Sequence, residues 1–168
     1  MTAEDRSEGW PSWSSDGASL AFLTDAGIRI YDMNAKRDAP VPGGEKMDCP
    51  KWSPNGRFLA ALASDPKRIM LFEFATQGWV ELAESPGAVA LAWSPDGRSI
   101  GYLTDGRDVY RIRIMDHHLE RVVSLKDEKW AVGVGGVGGP WIGQAPDGSI
   151  LYLREQSVRH IYALDWDA

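Results

Sequence analysis

Trp93-Ser-Pro-Asp-Gly97, running on into Arg98-Ser-Ile-Gly-Tyr-Leu-Thr104, is the stretch on which the fold turns. An Asp-Gly pair supplies the positive φ that a tight hairpin turn requires, and the apolar, aromatic-bearing run after it reads as a strand. Outward from this segment, three further copies can be laid over it: Trp13-Ser-Ser-Asp-Gly17, Trp52-Ser-Pro-Asn-Gly56 and Gln144-Ala-Pro-Asp-Gly148. Their glycines are 39, 41 and 51 residues apart. The first two spacings lie in or beside the roughly 40 to 45 residues of a propeller blade, and a repeat of this kind outranks local propensity.

Each copy has the same grammar. An apolar strand follows the glycine turn, at Ala18 to Leu23, Phe58 to Ala63, Ser99 to Leu103 and Ile150 to Leu153. A second turn then leads to a strand of period two, at Ile28 to Asp32, Ile69 to Phe74, Val109 to Met115 and Ile161 to Leu164. Fourth strands stand out at Trp79 to Ala83 and Leu119 to Leu125, and more weakly at Ala39 to Val41. The short strand leading into each Trp-Ser is the innermost, A, followed outward by B, C and D. Sandwiches and barrels also run strands at this density, but neither requires the same turn four times. The expectation is an all-β protein, a small β-propeller of about four four-stranded antiparallel blades, near residues 10–42, 47–83, 88–125 and 139–166, preceded by a polar segment 1–9. The final repeat ends soon after strand C, so its outer strand is either missing or filled by the N-terminal segment.

The pattern of Trp-Ser-Pro-Asp-Gly, an apolar strand ending in Thr or Ser, and an Ile-Tyr strand resembles the WD40-like (PD40) repeats of the TolB propeller family, most closely over residues 91–115. The stretch from Trp141 to Trp166 resembles the last blade of propellers appended to bacterial regulatory and sensor proteins. The resemblance implies action by protein contact. It supplies no catalytic residue, because the signature positions determine the fold. Ser15 in place of the first Pro and Gln144 in place of the last Trp depart from the pattern, and TolB itself has six blades.

Composition narrows the function classes. The 168 residues carry 18 Lys and Arg against 24 Asp and Glu, a formal charge of −6. Such a chain repels phosphate backbones and attracts cationic partners, so nucleic acid is not an expected ligand. Cys49 is the single cysteine, which excludes an internal disulfide. No apolar run approaches the length of a membrane-spanning helix, and residues 1–9 lack the basic start and apolar run of a secretory signal. With Met1 as the native start the expected location is cytoplasmic; as a piece of a larger TolB-like protein it is periplasmic.

Several motifs suggest chemistry and fail on context. Gly97-Arg-Ser99-Ile-Gly101 fits the nucleophile elbow of α/β-hydrolases, but the elbow needs strand, turn, helix, whereas Ser99 opens a strand after a turn. Gly133-Val-Gly135-Gly-Val-Gly138 fits a dinucleotide loop, yet Gly139-Pro140 stands where the helix must begin. Asp116-His117-His118-Leu-Glu120 offers imidazoles and carboxylates, but adjacent histidines in a tight turn point apart and His160 belongs to another repeat. No catalytic residue, metal or cofactor is expected. Asp16, Asp96 and Asp147 read as turn formers bonded to nearby amides. Trp13, Trp52 and Trp93 read as packing between blades, whereas Trp79, Trp130, Trp141 and Trp166 lie outside that slot and become contact candidates where exposed.

One set of residues remains. Asp25, Asp65, Asp105 and Glu155 occupy the B to C turn of successive repeats, 40, 40 and 50 residues apart. In a propeller those turns share a rim with the D to A connections, so four carboxylates would ring one face, offset in part by Lys67, Arg68 and Arg107. Turn chemistry alone also favours Asp there. The expected function is a non-catalytic binding or scaffolding module recognising a protein, basic in character, or a small ligand through one propeller face. The alternatives are an enzyme, a lyase or hydrolase working in the axial funnel, and half of a larger ring. Four blades are the lower limit for closure, so the chain either closes on itself or pairs with a second copy as a homodimer.

Overall fold

The computed structural model describes residues 9–128 and 141–154. Among these there is no helix, and the strands form three four-stranded antiparallel sheets and one two-stranded sheet. Blade one holds β1 (Gly9–Trp13), β2 (Ser19–Thr24), β3 (Gly27–Asp32) and β4 (Arg37–Pro40). Blade two holds β5 (Met47–Trp52), β6 (Phe58–Ser64), β7 (Lys67–Glu73) and β8 (Gly78–Glu84). Blade three holds β9 (Ala88–Trp93), β10 (Ser99–Thr104), β11 (Asp108–Arg113) and β12 (Leu119–Ser124), and blade four shows β13 (Ile142–Gln144) and β14 (Ile150–Tyr152). Each sheet is ordered as the chain runs, and the innermost strands β1, β5, β9 and β13 pack side by side in succession. This is a run of propeller blades.

The repeated turn has a local cause. Ser14, Ser53 and Ser94 each donate a hydroxyl hydrogen bond to Asp16, Asn55 and Asp96, at 2.6, 2.8 and 2.6 Å. The same hydroxyls accept the amide hydrogen of Ser19, Phe58 and Ser99, each at 2.9 Å. The carboxylate or amide oxygen in turn accepts the amides of Ala18, Arg57 and Arg98 at 3.0 Å, and Asp147 accepts that of Ser149 at 2.9 Å. These bonds hold the carboxyls of Asp16 and Asp96 below their ordinary value, with the serine hydroxyl as the leading cause, and Asp147 likewise through the Ser149 amide. The side chains thus close the A to B hairpin within six residues of chain, and Ser99 sits inside this clamp at the start of β10, as a strand residue.

The blades stack through three apolar seams. Ala21, Ile28 and Val41 of blade one meet Leu59, Ala61 and Phe72 of blade two. On the other side of blade two, Cys49, Ala60, Leu62 and Ile69 meet Leu91, Ile100, Tyr102 and Ile112 of blade three. Ala90, Ala92, Leu103 and Val109 then meet Ile142, with Ile150 and Tyr152 packed alongside. Inner strands are also tied by polar bonds: the Trp52 amide donates to Ser12 Oγ at 2.8 Å, and Trp93 Nε1 to the Lys51 carbonyl at 2.9 Å.

Leu20, Phe22, Leu59, Ala61, Ile100, Tyr102, Ile150 and Tyr152 hold equivalent register in strand B, and the pairs of blades two and three are fully buried. Two expectations need correcting. Trp52 and Trp93 pack into seams, whereas Trp13 is 54% exposed, with no second blade packed over it among the described residues. The fourth strand of blade one is Arg37–Pro40, exposed throughout and set by pairing with β3 rather than by apolar alternation. Trp130, the 133–138 glycine run, Glu155, His160, Ile161 to Leu164, Trp166 and residues 1–8 lie outside the described residues.

Blade three has an ionic brace on its outer strands. Asp108 accepts from Arg121 at 2.5 Å and faces Lys126 at 3.3 Å. The Arg121 hydrogen bond, then that of Ser124, lowers its carboxyl from the ordinary 3.8 to about 2. A depressed carboxylate contributes stability that is complete above its unfolded value and disappears as the pH falls through its folded one. Urea midpoints are therefore expected to be flat down to about pH 4 and to drop towards pH 2. Asp108→Asn should flatten part of that acid limb, and identical limbs in the two proteins would exclude the brace as a contributor.

Candidate functional site

The rim expected to be acidic is built by the B to C turns lying against the D to A connections. In blade one, the Ile28 amide donates to the Gly44 carbonyl at 3.1 Å. In blade two, the Ser64 amide donates to Lys46 O at 3.2 Å, and in blade three the Asp105 amide to Gly87 O at 2.7 Å. Threonine hydroxyls shape two of these turns: Thr24 Oγ1 donates to Gly27 O at 2.9 Å, and Thr104 Oγ1 to Asp108 O at 3.2 Å. Gly27 has φ +107, and a β-carbon there would lie 2.6 Å from both Glu45 Cα and Gly44 O. The turn bearing Asp25 is thereby pressed against the connection that leads to blade two.

Asp25, Asp65 and Asp105 all sit at this turn, exposed, one per blade. Their placement at equivalent positions follows the repeat; Glu155 falls outside the described residues. Their carboxylates make no hydrogen bond or ion pair among the described residues. That separates them from the acids of the strands and C to D hairpins, which are engaged: Glu81 with Arg68 at 3.0 Å, Glu120 with Arg111 at 3.3 Å and Asp116 with Arg113 at 2.7 Å. Arg68, expected to offset the acidic rim, is thus occupied by Glu81 on its own sheet. Lys46, Lys67 and Arg107 remain as the basic side chains of the rim. Two further exposed acids belong there, Glu45 in the D to A connection between blades one and two and Glu84 at the end of β8. Neither has a signature in the repeat, since the chain between strand D and the next strand A differs in length and composition between blades.

The opposite rim has a different character. Between blades two and three a groove of about 700 Å³ is lined by Arg57, Arg98, Arg111 and Arg113, together with Asp96, Ser99, His118 and Glu120. Glu120 and Asp116 answer Arg111 and Arg113, Arg111 also donates to the Gly148 carbonyl at 2.9 Å, and Arg57 and Arg98 stand 3.8 and 3.9 Å from Glu73 and Asp96. Sequence reading missed this groove, because its arginines come from two blades. The one signal was the repeated Gly-Arg at Gly56-Arg57 and Gly97-Arg98. Ser99 and His118 share the groove with no hydrogen bond between them, and no group of three metal-ligating side chains occurs among the described residues. His117 has φ +56 in its turn, and the amide of His118 is held by Asp116 at 3.2 Å.

No protein-family model matches the chain. No curated protein matches it either. Solved structures do. TolB from Acinetobacter baumannii is 16% identical with a TM-score of 0.68, over 93% of this chain and 40% of that one. A putative TolB from Agrobacterium tumefaciens is 20% identical with a TM-score of 0.66, over 86% of this chain and 52% of that one. Kuenenia stuttgartiensis hydrazine synthase is 15% identical with a TM-score of 0.63, over 88% of this chain and 42% of that one. The chain therefore has a TolB-like propeller fold and spans about two fifths to one half of the length of these structures. At such identities the likeness concerns the fold, which here is shared by a TolB and by an enzyme.

Proposed function

We propose that this chain is a non-catalytic recognition module that binds a basic protein segment on the rim carrying Asp25, Asp65 and Asp105. One observation carries the reading: the carboxylates of Asp25, Asp65 and Asp105 stand exposed at equivalent turns without a cationic partner among the described residues, whereas arginines of the other rim already face carboxylates. Charges without internal partners are available to an incoming ligand, and a formal charge of −6 steers cationic ligands towards them. The carboxylates lie one per blade, an arrangement that suits an extended, multiply charged partner rather than a chelated ion.

The test uses a lysine-rich peptide as probe. Exposed ion pairs contribute about 0.2–1 kcal/mol each, so the triple change of Asp25, Asp65 and Asp105 to Asn is expected to weaken binding by roughly tenfold. Wild-type affinity should fall as salt shortens the Debye length, and the triple variant should show a shallower salt dependence. Its thermal midpoint should stay unchanged, since no internal ion pair is removed. Equal affinity of both proteins for the peptide at low salt would refute the assignment of the rim.

A further inference from the structure

We infer that the arginine groove between blades two and three binds a small molecule carrying two oxyanion groups, carboxylates or phosphates. The inference stands apart from what the acidic rim binds.

The repeat separates what the fold needs from what this groove adds. In blade three, Arg111 of strand C pairs with Gly101, and Arg113 with Ser99. The matching pairs are Leu71 with Ala60 and Glu73 with Phe58 in blade two, and Ile30 with Ala21 and Asp32 with Ser19 in blade one. Of blades one, two and three, only blade three thus puts arginine in an apolar slot, buried at Leu71, and reverses the sign of an acidic one. Blades one and two form the same four-stranded sheet without either cation, so the fold does not require them.

The arginines of the groove are also incompletely used. A guanidinium has five N–H donors. Arg57 and Arg98, on the A to B turns of successive blades, make no side-chain hydrogen bond among the described residues, and the carboxylates they face, of Glu73 and Asp96, stand beyond hydrogen-bond length at 3.8 and 3.9 Å. Asp96 is committed instead to the Ser94 hydroxyl and the Arg98 amide. Arg111 gives one nitrogen to Glu120 and another to the Gly148 carbonyl, while its buried Nε has no acceptor among the described residues. A buried donor left unpaired costs free energy that an incoming acceptor recovers.

This arrangement sets the chemistry of the ligand. Guanidinium forks match the oxygens of carboxylate and phosphate, bonding them two at a time. Arg57 and Arg98 hold the same repeat position one blade apart, which provides for two anionic groups rather than one. Phe58 and Ile114, half-buried against the seam, add apolar surface to the lining, and the Arg57 guanidinium lies 5.1 Å from the centre of the Phe58 ring. A volume of about 700 Å³ suits a small molecule. With a formal charge of −6 on the chain, long-range steering does not bring an anion here, so binding rests on these local bonds.

Isothermal titration calorimetry of the full chain at low salt, with citrate and with pyrophosphate as probes, tests this. At least one of them is expected to bind. Arg57→Gln and Arg98→Gln remove no internal hydrogen bond, so both should keep the wild-type circular dichroism, and each should weaken binding by about tenfold or more. Arg111→Leu restores the residue that blade two holds in that slot and should weaken binding similarly. Arg37→Gln, on the exposed β4, changes the net charge equally and should bind as the wild type does. Binding of citrate alone, of pyrophosphate alone or of both assigns the groove to carboxylates, to phosphates or to either. No binding of either probe at millimolar concentration overturns the proposal. So does binding that survives undiminished in the folded Arg57 and Arg98 variants, or that Arg37→Gln weakens as much as they do. The lysine-rich peptide should bind the groove variants unchanged, so the two rims stand or fall separately.

Discussion

Gly27→Ala is expected to destabilise the chain by about 3 kcal/mol or more, whereas Gly17→Ala should cost about 1 kcal/mol. Both glycines have positive φ, at +107 and +70, so both substitutions meet backbone strain. Only the first also meets solid structure. A β-carbon on Gly27 would sit 2.6 Å from backbone atoms of Gly44 and Glu45, and neither can yield as a flexible side chain does. At Gly17 nothing lies within 4 Å. The connection at Gly44 would have to move, taking with it the 3.1 Å bond from the Ile28 amide and the position of Asp25 on the rim. Urea denaturation of the two variants tests this, and similar losses for both would mean that the turn and the connection are not pressed together.

Phe72→Ala is expected to cost about 3–5 kcal/mol, the range for truncating a buried aromatic. Phe72 is 1% exposed in the seam between blades one and two, with Phe74 edge-on and Trp79 tilted against it, each at 5.3 Å between ring centres. Trp79 is itself fixed by a 2.7 Å bond from its Nε1 to the Pro42 carbonyl, so it cannot swing freely into the space left behind. Against a total stability of about 5–15 kcal/mol for an ordinary domain, such a loss brings the protein close to unfolding. Leu20→Ala, at a half-buried position of blade one, should cost under about 1 kcal/mol by the same accounting of buried area. A thermal scan showing Phe72→Ala no worse than Leu20→Ala would contradict the seam.

The features legible in the sequence are those made by neighbours along the chain. The Ser-x-Asp clamp closes within six residues, so every copy of Trp-Ser-x-Asp-Gly carries its own structural cause, and the strand B that follows is equally local. The positions of Asp25, Asp65 and Asp105 were legible for the same reason. Trp13 was not, because its burial depends on a neighbour of blade one and not on its own repeat. The arginine groove was hidden because Arg57 and Arg98 meet Arg111 and Arg113 only after blades two and three have packed. Glu45 lies in a connection that the repeat does not constrain, and Glu84 ends the strand before the next one. The outer strand Arg37–Pro40 exists through backbone pairing with β3, for which its side chains give no sign.

Cys49 lies in the seam between blades two and three, 1% exposed, and burial pushes its thiol up to about 11. A thiol so placed is inert towards alkylating reagents while the blades are closed, since it is neither ionised nor reachable. Its modification therefore waits on separation of the two sheets, and in the regime where closing outpaces chemistry the observed rate is the intrinsic thiol rate multiplied by the fraction of molecules open. The protein thus carries a native gauge of sub-global opening at one defined seam. Because Cys49 is the chain's single cysteine, that signal is free of any second site, and partners, salt or ring closure can be read by how far each slows it.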